Sequence, residues 1–142
     1  MRLHDVNVLV NAYRPEAERH KDFRAFLEEL VQGDEAYAVS DFVMTGFLRV
    51  VTDRRIYEEP ARLSEALKFA ETIRNQPHAV VIDAGPRFWE IFKSICVHAD
   101  AKGRLIPDAY LAALAIEHGC EFITADRDFA KFAGLRWRHP LN

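Results

Sequence analysis

Four aspartates carry the chemistry that this 142-residue sequence suggests. Asp5, Asp83 and Asp126 each follow a short apolar run at once. In open α/β sheets the carboxyl ends of the strands form the ligand crevice, so such residues converge although far apart in the chain. Asp108 can join them from the first turn of a helix opened by Pro107. Gathered carboxylates repel one another and would have to take up protons unless a cation neutralises them. A hard divalent ion, Mg²⁺ with Mn²⁺ as a substitute, prefers such oxygen ligands and keeps several waters, which suits substrates bearing phosphate oxygens.

Each aspartate taken alone has a plainer reading, because Asp is also a common helix N-cap. Asp83 keeps that reading, since Asp83-Ala84-Gly85-Pro86 is a turn into a helix. Asp5 differs: Asn7 follows two residues later, so that a carboxylate and an amide can face one crevice. In Thr124-Ala125-Asp126-Arg127-Asp128-Phe129, two carboxylates and a hydroxyl surround one short turn. Thr124 is expected to donate a hydrogen bond within that turn, and Asn7 to orient Asp5 or a water; a purely structural role fits each equally well.

The elements that must position these groups alternate between short apolar runs and segments of three-to-four-residue apolar spacing. That alternation predicts an α/β fold around a parallel sheet of about five strands flanked by helices. Strands are expected around Leu3, at Tyr37 to Val39, Ala79 to Ile82 and Glu121 to Thr124, and at Arg136 to Arg138. Helices are expected after Pro15 up to Gly33, from Ser40 or Asp41 through Val50, after Pro60, after Pro86, and after Pro107 to near Gly119. Proline near a helix start and glycine past its end is the usual asymmetry.

Length and composition narrow the classes. The chain fits one domain of ordinary size, residues 1–142, without repeat or linker. Two cysteines, Cys96 and Cys120, make neither a disulfide framework nor a zinc pattern. No run approaches the roughly 20 apolar residues of a membrane span and the N-terminus lacks a signal peptide's features, so a cytoplasmic protein with no membrane partner is expected. The net charge of −3 means that any polyanion must be held by local patches.

Four segments together carry a resemblance: Leu3-His4-Asp5-Val6-Asn7-Val8-Leu9, Phe47-Leu48-Arg49-Val50-Val51-Thr52, Pro107-Asp108-Ala109-Tyr110-Leu111 with its alanine-rich continuation, and Thr124-Ala125-Asp126-Arg127-Asp128-Phe129 followed by Gly134 to Leu141. In order and over nearly the whole chain they resemble the PIN-domain ribonucleases, and more narrowly VapC, the toxin of bacterial VapBC toxin–antitoxin pairs. The resemblance implies a PIN-like three-layer fold, an acidic Mg²⁺ or Mn²⁺ site, endonucleolytic cleavage of cellular RNA (tRNA or rRNA), a homodimer, and inhibition by a cognate VapB-type antitoxin. Asp5, Asp108 and Asp126 match the family's catalytic, metal-holding positions, and Asp128 an auxiliary acid. Gly46 stands where the family usually has a glutamate. Asp41, five residues earlier, points to another face of that helix and is explained as a cap. The glycine reads either as a site with one carboxylate fewer or as room for a close neighbour. Arg49, one helical turn beyond Gly46, and Arg127 are candidate contacts to RNA phosphates.

Competing readings are a haloacid-dehalogenase-like phosphatase, a receiver-like signalling module, and a PIN-like fold kept only for binding. The phosphatase would have an acid where Asn7 stands and a phosphate-binding lysine further on. A receiver needs an acidic pair at the first strand and a late lysine.

Overall fold

The computed structural model describes residues 1–142. Its five strands are β1 (Arg2–His4), β2 (Tyr37–Val39), β3 (Ala79–Val81), β4 (Glu121–Ile123) and β5 (Trp137–Arg138). Six helices accompany them: α1 (Val6–Tyr13), α2 (His20–Gln32), α3 (Asp41–Val51), α4 (Leu63–Arg74), α5 (Phe88–Ala99) and α6 (Leu105–Glu117). A 3-10 helix, Arg127–Lys131, follows β4. All pairings are parallel, in the order β3-β2-β1-β4-β5. The chain winds outward from β1 through β2 to β3, then returns to place β4 on the other side of β1. The order therefore reverses between β1 and β4, where ligands bind in sheets of this kind.

The expected strands form within a residue or two at each end. The helices depart further. The one expected after Pro15 starts only at His20, because Arg19 takes a left-handed backbone (φ 58°) and forces a turn first. The last begins at Leu105, so Pro107 lies in its first turn, where no intrahelical N–H is needed. α1 was not expected at all. Its run of Val6, Val8 and Val10 is β-branched, which lowers helix propensity, yet the buried stripe Val8, Leu9, Ala12 overrides that preference.

Two capping assignments need correction. Asp41 does not cap α3: Ser40 Oγ accepts from the Phe42 N–H at 3.2 Å, and Asp41 forms a forked ion pair with Arg74 at 2.7 and 3.0 Å, tying α3 to α4. Asp83 does not cap α5. Its carbonyl accepts from His118 Nε2 at 2.7 Å, and the turn into α5 is held by Glu117, whose carboxylate accepts from the Gly85 and Arg87 N–H groups at 2.7 and 3.0 Å. A Cβ on Gly85 would lie 2.7 Å from that carboxylate and would push it off its two N–H donors. Glu117 is a buried charge stabilised by two N–H donors and by the positive end of a helix.

α6 is buried on most of its circumference, at Ala109 and at Leu111 through Ala115. Its alanines let it lie close to the sheet and to α5. That placement brings Asp108, on the first turn, to the carboxyl ends of β1 and β4.

Candidate metal centre

Asp5 lies one residue past β1, and its carboxylate does two things. Oδ1 accepts from the Val6 N–H at 2.7 Å, which caps α1. Oδ2 accepts from Thr124 Oγ1 at 2.7 Å and from Asn7 Nδ2 at 3.1 Å. The cap and the candidate ligand, set against each other in the sequence, are one residue here.

Thr124 is wholly buried and is the hub of the arrangement. Its hydroxyl donates to Asp5 and accepts from Asn7 Nδ2 (3.2 Å) and from the Asp126 N–H (3.0 Å). The Asn7 carbonyl oxygen accepts from the Ala125 N–H at 3.1 Å, so both ends of that amide are assigned by their partners. Asp126 Oδ1 in turn accepts from the Asp128 N–H at 2.9 Å and starts the 3-10 helix. A continuous network thus runs from the end of β1 to the end of β4.

Asp5, Asp108 and Asp126 line one cleft of about 800 Å³, with Asn7, Asn11, Phe42, Thr45, Gly46 and Arg49 among its other walls. Asp128 lies on the far side of Asp108 and Asp126, in a second hollow. Arg49 is exposed on the rim of the first cleft. Arg127 is exposed at the start of the 3-10 helix and lines neither hollow. His4, next to Asp5, is buried edge-on against Phe26 and Tyr37, and burial, with Arg2 and Arg138 nearby, pushes its pKa down to about 3.

The carboxylates act on one another. Burial first, then the charges of Asp5, Asp126 and Asp128, push Asp108 up to about 6, against a smaller opposing pull from Arg104. Burial also raises Asp5, with Asp126 adding to it, although the hydrogen bonds from Thr124, Val6 and Asn7 pull the other way. No three of these groups close into a ready cage. They stand around the cleft as separate oxygen donors, a set that suits a small hard cation bound through a few carboxylates and retaining its water.

The raised Asp108 makes the cation-free protein sensitive to pH. Its folded pKa lies above the unfolded value of about 3.9, so between the two the native state holds more protons and stability falls as pH rises from about 4 to about 6. After solvent screening at a half-buried site the loss is on the order of 1 kcal/mol. Thermal unfolding in EDTA measures it. Asp108→Asn is expected to flatten the fall and to be more stable than the native chain at about pH 7; an unaltered profile would place the proton uptake on other groups.

Gly46 has a steric cause. A Cβ there would lie 2.8 Å from Val6 Cγ2, so α1 and α3 approach too closely for any side chain at this point. Val6 also donates the N–H that holds Asp5 Oδ1 at 2.7 Å. Gly46→Ala should therefore forgo the usual gain of about 1 kcal/mol for removing a helical glycine and destabilise the chain by up to about 2 kcal/mol. In a Val6→Ala background the same change should stabilise it. A double-mutant cycle by denaturant unfolding decides, and additive effects would refute the contact.

Some wall residues escaped the sequence. Asn11 lies one helical turn from Asn7 on α1 and joins the cleft with it, a relation hidden until α1 is known to be a helix. Phe42 and Tyr110 stack at 4.5 Å between centroids, and no local pattern pairs them.

The profile of the PIN domain matches residues 3–135. VapC ribonuclease Mb2897 of Mycobacterium bovis is 43% identical over 138 residues, covering 97% of this chain and 94% of that protein. Ribonuclease VapC25 of Mycobacterium tuberculosis is 41% identical over 140 residues, covering 99% of each. The chain belongs to the PIN-domain family and to its VapC group. Among solved structures, VapBC2 from Rickettsia felis bound to a promoter DNA fragment superposes with a TM-score of 0.71 at 14% identity, covering 97% of both chains. VapBC-1 from nontypeable Haemophilus influenzae gives 0.71 at 11%, over 99% of this chain and 98% of that one. At such identities they establish the PIN fold, and the five-stranded parallel sheet flanked by helices agrees with it. No helix of this PIN-domain chain is long and apolar enough to cross a membrane.

Proposed function

We propose that residues 1–142 form a single PIN domain acting as a divalent-metal-dependent endoribonuclease, the toxin of a VapBC-type pair. The observation that carries this reading is the convergence of Asp5, Asp108 and Asp126 on one cleft at the β1/β4 reversal, with Asp108 raised to about 6 by burial and, after it, by its acidic neighbours. The VapC names of relatives above 40% identity support the choice of RNA as substrate.

A divalent cation, Mg²⁺ or Mn²⁺, held by Asp5, Asp108 and Asp126 would neutralise the phosphate's charge and lower the pKa of the attacking water. The chain's own groups do the rest. Thr124 and Asn7 fix the Asp5 carboxylate by two hydrogen bonds to Oδ2, leaving its remaining acceptor directions to the cleft. The Asp126 backbone is held by Thr124, so the two carboxylates keep one spacing. Asp128 stands behind them as an auxiliary acid, and Arg49 on the rim meets the RNA backbone with a guanidinium suited to phosphate. No side-chain nucleophile is needed, and a phosphatase that forms an aspartyl intermediate is disfavoured by Asn7, an amide bonded to Asp5 and Thr124 where that family would carry an acid.

Control by a cognate antitoxin fits the VapBC assemblies among the structural neighbours. Exposed apolar side chains, Trp89 and Val97 on α5 and Val80 and Val81 on the edge strand β3, give an antitoxin or a second copy of the chain something to cover. The test is incubation of the purified protein with total RNA and Mg²⁺ or Mn²⁺, beside an EDTA control and an Asp5→Asn variant, with the new ends mapped. Metal-dependent ends absent from both controls are expected. Turnover of a generic aryl phosphate without RNA cleavage would overturn the reading.

A further inference from the structure

The carboxylates form a ridge between two hollows of different chemistry. The first, of about 800 Å³, has apolar walls at Val6, Val10, Val50 and Leu111 and one exposed aromatic, Phe42. Phe42 is 40% exposed and its ring is backed by Tyr110, stacked on it at 4.5 Å and 16°; Tyr110 rests in turn against Phe88 at 4.6 Å. An aromatic held from behind and open to a cleft is a surface for a nucleobase, since every base has a π-face to offer.

The second hollow, of about 520 Å³, shares Asp108 and Asp126 with the first and has no aromatic wall. Its cations are Lys102, Arg104 and Lys131. Two are already engaged, Lys102 with Asp100 at 3.1 Å and Lys131 with Asp128 at 3.8 Å. Arg104 has no ion pair or side-chain hydrogen bond, and its charge acts on Asp108 through space. In a chain of net charge −3 a strand of RNA meets repulsion around this site, and a free guanidinium beside the acids offsets it where a phosphate must lie.

We propose that single-stranded RNA crosses the carboxylate ridge from one hollow to the other, an unpaired base stacking on Phe42 on the first side and a backbone phosphate held by Arg104 on the second. This deepens the ribonuclease reading and rests on it. It assigns base stacking, open to any base, to the Phe42 side and backbone grip to the Arg104 side. It also requires an unstacked base, so duplex RNA is a poor substrate.

The test uses the full chain with Phe42→Ala, Phe42→Trp and Arg104→Gln. A fluorescein-labelled, mixed-sequence single-stranded RNA is followed by anisotropy in EDTA over a salt series, and its cleavage is followed in Mg²⁺. Phe42→Ala is expected to weaken binding and raise KM by about 5- to 150-fold with the salt slope unchanged, and Phe42→Trp to restore both. Arg104→Gln is expected to lower the slope of log affinity against log salt by about 0.7, the share of one phosphate contact on a single strand. Thermal melting of each variant separates lost stacking from lost folding, and the tryptophan rescue stands where the alanine variant is unstable. A native chain that cleaves RNA while the variants keep its KM and salt slope overturns the track and spares the ribonuclease reading. A native chain that binds RNA through both residues and cleaves none overturns the ribonuclease reading and spares the track. Absence of both binding and cleavage overturns both.

Discussion

Asp5→Asn and Asp108→Asn are each expected to lose metal-dependent RNA cleavage by more than the roughly 10- to 100-fold that removing an outer-sphere partner of a metal site costs. The substitution keeps shape and hydrogen-bonding size while deleting one negative charge. At Asp5 the amide can still cap α1 through its oxygen, so folding should survive. At Asp108 removal of the raised carboxyl relieves repulsion, so that variant should gain stability without cation as it loses activity. Opposite movements of stability and activity are the signature of a group kept for chemistry. End-mapped cleavage assays beside melting in EDTA measure both quantities, and full activity in both variants would sink the assignment.

Thr124→Val is expected to do smaller but still large damage from a residue that need not touch the substrate. The swap is near-isosteric and deletes one buried hydroxyl that serves three partners: the Asp5 carboxylate, the Asn7 amide and the Asp126 N–H. Leaving buried polar groups unpaired costs about 1–3 kcal/mol. With Asp5 and Asp126 no longer held by a common atom, activity should fall roughly 10- to 100-fold, as for other orienting partners of metal ligands. Thr124→Ser keeps the hydroxyl and should recover most of the activity. Urea unfolding and cleavage rates on the three proteins provide the check; a fully active valine variant would show that the hydroxyl only packs.

What was legible in the sequence was local. Ala79 to Ile82 and Glu121 to Thr124 read as strands because short apolar runs end at turn-forming residues, and Asp5 and Asp126 read as a pair because they follow such runs, with Asp108 joining them from a helix start. α1 was hidden because Val-Asn-Val-Leu-Val is written in strand-forming residues, and its helical state comes from the buried contacts of Val8, Leu9 and Ala12. Losing α1 also lost Asn11 and the contact that explains Gly46. The capping roles went wrong for a related reason. Asp41 and Asp83 stand where local rules put caps, but Ser40 precedes one, and Glu117, 32 positions beyond Gly85, reaches back to do the other's work. Tertiary partners of that kind leave no mark at the residues they serve.

The pairing of β1 with β4 also bears on how such a chain is made. Asp5 leaves the ribosome well before Thr124, whose hydroxyl holds it and which lies 119 positions later. Synthesis runs from the N-terminus, so Asp5 waits for β4 and for Asp126 just beyond it. On the proposed reading, the ribosome is itself surrounded by the enzyme's substrate while it builds this chain. The order of the strands therefore sets when the site can form: a growing chain holds Asp5 without its partners until β4 has been made and has paired with β1, and on the proposed reading only then can the carboxylates act together on RNA.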